Sequence, residues 1–160
     1  MSEAQANFSE VEDTLPDKLF QLLDQALFDL NKAESDPRYQ VAMSRWHSLD
    51  TETELCCVCL AGSVMAFTLK CPRDKDELSF GASDRLWAKL ECLNYIRCGA
   101  LVTAYRTMAE NVDGYDLGEG PMEELVKYEM SLSLVPYATD SEKFKEQMRD
   151  IKELFERLYV

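Results

Sequence analysis

Apolar residues recur at helical spacing along most of this chain. Leu15, Leu19, Leu22, Leu23, Ala26, Leu27 and Leu30 predict a first helix ending near Ser35, with Thr14 as its N-cap and Pro16 where a missing amide hydrogen costs nothing. Asp36-Pro37 restarts the pattern and predicts a short helix through Tyr39, Val41, Met43 and Trp46. Thr51 and Glu54 have the spacing of a capping box, and an uncharged run, residues 55–69, follows at once. That run is apolar on all sides, which predicts a helix covered by its neighbours. Gly62 in its middle costs about 1 kcal/mol relative to alanine, tolerable where another helix backbone passes close.

Residues 71–82 read as a charged connection, after which Ser83 caps the longest predicted helix, residues 84–109. Leu86, Leu90, Leu93, Ile96, Ala100, Ala104 and Met108 form one apolar stripe, while Trp87, Tyr95, Cys98, Val102 and Tyr105 form a second, so this helix is expected to pack on two sides. Residues 111–121 hold three glycines and no base, the composition of a loop. Pro121 opens a helix with Met122, Leu125, Val126, Tyr128 and Met130 on its expected buried side, and Pro136 stops it. Thr139 and Glu142 offer a second capping box ahead of Phe144, Met148, Ile151, Phe155 and Leu158, a clean amphipathic stripe. Two heptads are too few for a coiled coil, so docking on the protein's own core is favoured over a homodimer seam through this helix. Strand-like alternation is confined to residues 131–135. The fold class expected is all-α: one domain, residues 14–160, of five to six helices around the buried 55–69 helix, preceded by a flexible acidic arm, residues 1–13.

Charge sharpens this picture. Thirty acidic side chains against 17 basic give a formal charge of −13, and the imbalance sits at the ends. Residues 1–36 carry 9 acids and 2 bases, residues 37–110 carry 9 and 9, and residues 111–160 carry 12 and 6. An acidic surface of this kind disfavours direct nucleic-acid binding and favours a partner protein with a basic surface. The 55–69 run falls short of the roughly 20 apolar residues a bilayer span needs, and residues 1–7 lack the basic and apolar regions of a secretory signal. A cytoplasmic protein without a membrane partner is expected.

Cysteines 56, 57, 59, 71, 92 and 98 fall mostly in apolar stretches and read as buried free thiols. A zinc site would need four ligands from Cys56, Cys59, Cys57, Cys71 and His47, with no second C-x2-C or H-x3-H pair to complete it. No metal or cofactor is therefore expected. His47 is the only histidine, so a cysteine-dependent enzyme would have to pair it with Cys56, Cys57 or Cys59. Glu52 and Glu54 make that region negative, which works against a thiolate, and a non-enzymatic role is favoured. Asp113, Asp116 and Glu119 lack the alternate spacing of a calcium loop, and Gly114, Gly118 and Gly120 do not lead into a lysine-bearing phosphate loop.

The most specific surface feature is the cluster Glu110, Asp113, Asp116, Glu119, Glu123 and Glu124, uninterrupted by Lys or Arg between Arg106 and Lys127. Its charge spacing resembles that of nucleic-acid phosphates and suits a basic groove on another protein.

Trp46-His47, then Cys56-Cys57-Val58-Cys59-Leu60-Ala61-Gly62-Ser63-Val64-Met65-Ala66, and later Leu93-Asn94-Tyr95-Ile96-Arg97-Cys98-Gly99, resemble uncharacterised small proteins of bacteriophages and prophages. The resemblance covers about a quarter of the chain and brings no catalytic residues. It implies a phage accessory context in which an acidic protein inhibits or modulates a host protein, as anti-defence proteins do. A homo-oligomeric scaffold and the His47 thiol enzyme are the alternatives.

Overall fold

The computed structural model describes residues 11–112, 115 and 119–160. Ten residues of the expected arm, together with Asp113 and Asp116, lie outside the described residues. The chain is mostly helical but not purely so: among the described residues, six α-helices accompany a small three-stranded sheet. They are α1 (Leu19–Ser35), β1 (Tyr39–Val41), β2 (His47–Leu49), β3 (Cys56–Val58), α2 (Leu60–Phe67), α3 (Asp84–Arg97), α4 (Leu101–Asn111), α5 (Glu119–Ser131) and α6 (Ser141–Leu158).

Helix α1 begins later than Thr14 and Pro16 predict. Residues 11–18 instead run against α3: the Val11 amide donates to the Gly81 carbonyl at 2.7 Å, and the Lys89 ammonium donates to the Leu15 carbonyl at 2.7 Å. Lys89 is 1% exposed and also meets Asp13 and Asp17, each at 2.8 Å. Arg85 reaches the same two carboxylates at 2.9 and 2.7 Å. A local cap is worth about 1 kcal/mol, whereas a buried ammonium without oxygen partners costs several times that. The long-range demand wins over the local signal.

The largest departure from the sequence reading lies between residues 36 and 59, where two helices were expected and strands form. The sheet order is β1-β3-β2, with β1 parallel and β2 antiparallel to β3. Thr51 and Glu54 belong to the turn joining β2 to β3: Asp50 N–H donates to the Leu55 carbonyl at 2.8 Å, Glu54 N–H to the Asp50 carbonyl at 2.7 Å, and Glu54 takes a left-handed conformation with φ 62°. The apolar run is thus divided. Cys56, Cys57 and Val58 form a strand buried on both faces, Cys59 turns the corner as N-cap, and residues 60–66 are buried in α2. A continuous apolar run fits a buried strand as well as a buried helix, because neither leaves a polar face.

Gly62 does mark a close backbone approach, but to the entry of β2 and not to a helix. The Trp46 carbonyl lies over the first turn of α2, accepts from the Cys59 amide at 3.2 Å, and occupies the space a Cβ at position 62 would take. Helix α2 packs on α1, on α3 and on the sheet, and the Thr68 hydroxyl donates to the buried Asp29 of α1.

The predicted 84–109 helix is two helices. Ser83 caps α3 as expected, accepting from the Leu86 amide at 3.2 Å. At the far end Gly99, φ +80°, ends it: Gly99 N–H donates to the Ile96 carbonyl and Ala100 N–H to the Tyr95 carbonyl, both at 2.9 Å, the bonds of a Schellman cap. Helices α3 and α4 then pack on each other. The amide of Val102, in the first turn of α4, is satisfied from outside its own helix by Glu129 of α5 at 2.9 Å.

Helix α6 is capped by Asp140, which accepts from the Lys143 amide at 3.0 Å, one residue later than the Thr139 expected. Its stripe turns inward: Phe144, Met148, Ile151 and Phe155 are buried, with α1 packed alongside. Residues 131–135 form no strand. No helix among the described residues is long and apolar enough to cross a membrane.

Candidate functional site

The described members of the acidic cluster, Glu110, Glu119, Glu123 and Glu124, lie at the junction of α4 and α5. Glu110 is exposed near the end of α4, and Glu119 and Glu123 are exposed one turn apart on α5. Glu124 is half-buried and ion-paired with Arg157. Folding also brings the bounding bases inward: Arg106 and Lys127 line the same open groove of ≈ 580 Å³ as Glu119 and Glu123. In space the cluster is therefore less uniformly negative than along the chain. Met122 and Val126 complete the groove.

Helix α5 presents only part of its expected apolar side to the core, with Met122 and Tyr128 half-buried against it. Of Met122, Leu125, Val126, Tyr128 and Met130, only Leu125 is buried. Val126 is 37% exposed and Met130 82%. The helix is held by Leu125, by Met122 and Tyr128 packed on the core, by the Glu124–Arg157 pair and by the Glu129–Val102 bond. Val126 and Met130 are the surface residues that sequence reasoning missed. Their spacing carried a helical signal, but spacing alone does not tell a helix's covered side from its open one.

The second grouping of chemistry-bearing side chains is internal. β2 carries His47, which is fully buried, with Nδ1 2.6 Å from the Lys75 carbonyl oxygen. A carbonyl can only accept, so Nδ1 carries the hydrogen and Nε2 is left bare. The Cys56 Sγ, from the neighbouring strand, lies 3.6 Å from Nε2 and 3.8 Å from Nδ1, while the Cys71 Sγ lies 3.9 Å from Nδ1. The Cys56 sulfur is thus almost equidistant from both ring nitrogens. Burial pushes the Cys56 thiol up to about 12 and the Cys71 thiol up to about 11, and the same desolvation pushes His47 down. A thiolate–imidazolium pair requires the opposite shifts, so at neutral pH this is a cluster of neutral groups. Cys59 points elsewhere, its sulfur accepting from the Gly62 amide at 3.4 Å. Among the described residues no group of three or more His, Cys, Asp or Glu side chains is arranged to hold a metal ion.

The chain matches no protein-family model, no curated protein and no solved structure. Its chemistry therefore rests on its own geometry.

Two predictions follow the thiols and the imidazole. Cys98 is exposed and the other five cysteines are buried, so native protein at neutral pH should react with Ellman's reagent rapidly at one equivalent and slowly at the rest. A second fast thiol would contradict the sealed cluster. For His47 the folded pKa lies below its ordinary 6.5, so the unfolded chain binds the proton more readily. The stability this confers is complete above about pH 6.5 and is lost as pH falls toward the folded value. Melting temperatures measured from pH 7.5 down to 5.5 should fall more steeply for the natural protein than for His47→Gln. Parallel curves would show that the imidazole is not held neutral.

Proposed function

We propose that this protein is a non-enzymatic, acidic binding protein of the cytoplasm that occupies a basic site on another protein, as a phage-encoded inhibitor of a host factor would. The observation that carries the reading is the α4–α5 surface. It gathers exposed Glu110, Glu119 and Glu123 beside an open groove, in a chain of net charge −13. Such a surface attracts basic partners over a Debye length of about 10 Å at 0.1 M salt and raises their association rate.

The internal arrangement supports this over a thiol enzyme, because the only histidine is enclosed among neutral thiols. It also supports it over a scaffold built on α6, because the apolar stripe of that helix is spent within the core.

The test is a pull-down from host lysate at low and high salt, with the natural chain and with a variant carrying Asp113→Lys, Asp116→Lys and Glu119→Lys. A basic protein should be retained by the natural chain, released at high salt and absent from the variant, whose far-UV helicity should be unchanged. Equal retention by both chains would overturn the reading.

A further inference from the structure

We propose that exposed Val126 and Met130 on α5, with half-buried Met122 one turn before them, form the apolar half of a docking site for a cationic amphipathic helix of a partner protein. This rests on the reading above and adds to it the shape and chemistry of the occupant. The three residues stand four apart, so they run along one side of the helix for about 12 Å at 1.5 Å per residue. Helix-in-groove recognition uses anchors at this spacing.

Val126 and Met130 are exposed, while Met122 is half-buried against the core. Met130 is 82% exposed and Val126 37%, while the attachment of α5 to the body runs through Leu125, Met122, Tyr128, Glu124 and Glu129. An unbranched methionine side chain adapts to whatever apolar surface is laid on it, which suits a recognition face. Two methionines flanking a valine form a contact surface of low shape specificity, so the surrounding charges must supply discrimination.

Charge selects the occupant. Glu119 and Glu123 sit one turn apart beside Val126, and Glu110 is exposed on the adjoining helix. A partner helix with its leucines or valines on the strip would place lysines or arginines against these carboxylates. Lys127 follows Glu119 and Glu123 at four-residue spacing along α5 and, with Arg106, lines the same groove, so the occupant must set its cations against the carboxylates and clear of these two bases. A second copy of this chain, also at −13, is disfavoured by like charge.

The probe is a fluorescein-labelled Lys/Leu amphipathic peptide, compared by anisotropy with a Lys/Ser peptide of the same length and charge. The natural chain should bind the Lys/Leu peptide at least about tenfold more tightly than the Lys/Ser peptide, as expected when buried apolar anchors carry the energy. The Val126→Ser, Met130→Ser variant should lose that advantage while keeping its melting temperature, since both side chains are exposed. In the natural chain, the 13C-methyl resonances of Met122 and Met130 should move on binding, and those of buried Met65 and Met148 should not. Equal affinity for both peptides, unaffected by the substitutions, would overturn this inference and leave the electrostatic reading standing. No binding of either peptide would overturn it too, and the lysate experiment then decides the wider reading separately. A concentration-dependent dimer in sedimentation, abolished by Met130→Ser, would overturn it in favour of self-association.

Discussion

Replacing Gly62 by alanine should leave the protein unable to reach a stable native state, with a loss above about 3 kcal/mol, at the upper end of what overpacking a core costs. On helix propensity alone the change should help by about 1 kcal/mol. A Cβ at this position, however, would stand 1.4 Å from the Trp46 carbonyl oxygen and 2.6 Å from its carbon. Both are backbone atoms, so no rotamer change relieves the clash. The carbonyl would have to retreat, breaking its bond to the Cys59 amide at the cap of α2 and drawing with it the strand that holds His47. Urea denaturation checks this: a midpoint for Gly62→Ala within experimental error of the natural chain would show that β2 does not cross α2 at this point.

The second large effect belongs to Lys89. Removing its carboxylates with Asp13→Ala and Asp17→Ala leaves a buried ammonium with the Leu15 carbonyl and costs about 3–5 kcal/mol, the usual penalty for breaking a buried pair from one side. Lys89→Met removes the charge itself and replaces it with a side chain of similar length. It should cost clearly less, because the carboxylates it leaves behind still meet Arg85 and Asp17 is half-exposed. The ordering of the two variants in denaturant is the test, and a more severe loss from Lys89→Met would mean that the ammonium is not the costly partner. Acid adds a second readout. Hydrogen bonds from Lys89 and then Arg85 hold the Asp17 carboxyl below its ordinary value of 3.8. Its contribution is therefore present above about pH 4 and is lost as pH falls through the lowered value. Buried Asp29 works with the opposite sign, since desolvation raises its pKa and protonation on acidification favours the folded form.

Elements with one wet face were legible from the sequence, and those without one were not. Helices α1 and α6 alternate apolar and charged residues at a period of 3.6, and α3 carries its own Ser83 cap, so their existence follows from local pattern. Cys56–Val58 offers no such contrast, because a strand buried on both faces shows only apolar residues. The break at Gly99 was concealed for a different reason: the apolar stripes continue through it in register, and only the left-handed backbone reveals the cap. At the candidate site, Glu119 and Glu123 were legible as charge. The neutralisation of Glu124 by Arg157, 33 positions away in sequence, and the outward turn of Val126 and Met130 depend on tertiary placement that no local pattern encodes. His47 and Cys56 stand nine residues apart in the sequence, and their meeting depends on the antiparallel pairing of β2 with β3. The burial that makes both neutral comes with that pairing.

The bond from Val102 N–H to Glu129 makes one backbone amide a reporter on α5. Helix α4 has no side-chain cap of its own at Ala100, so the protection of that amide is lent by a neighbouring helix that fully buries only Leu125. Whatever lifts α5 from the body must release this proton to solvent, and whatever pins α5 down must slow its exchange, without any change in the global unfolding free energy. The deuterium uptake of Val102 therefore follows the seating of α5 while the rest of the fold stays silent.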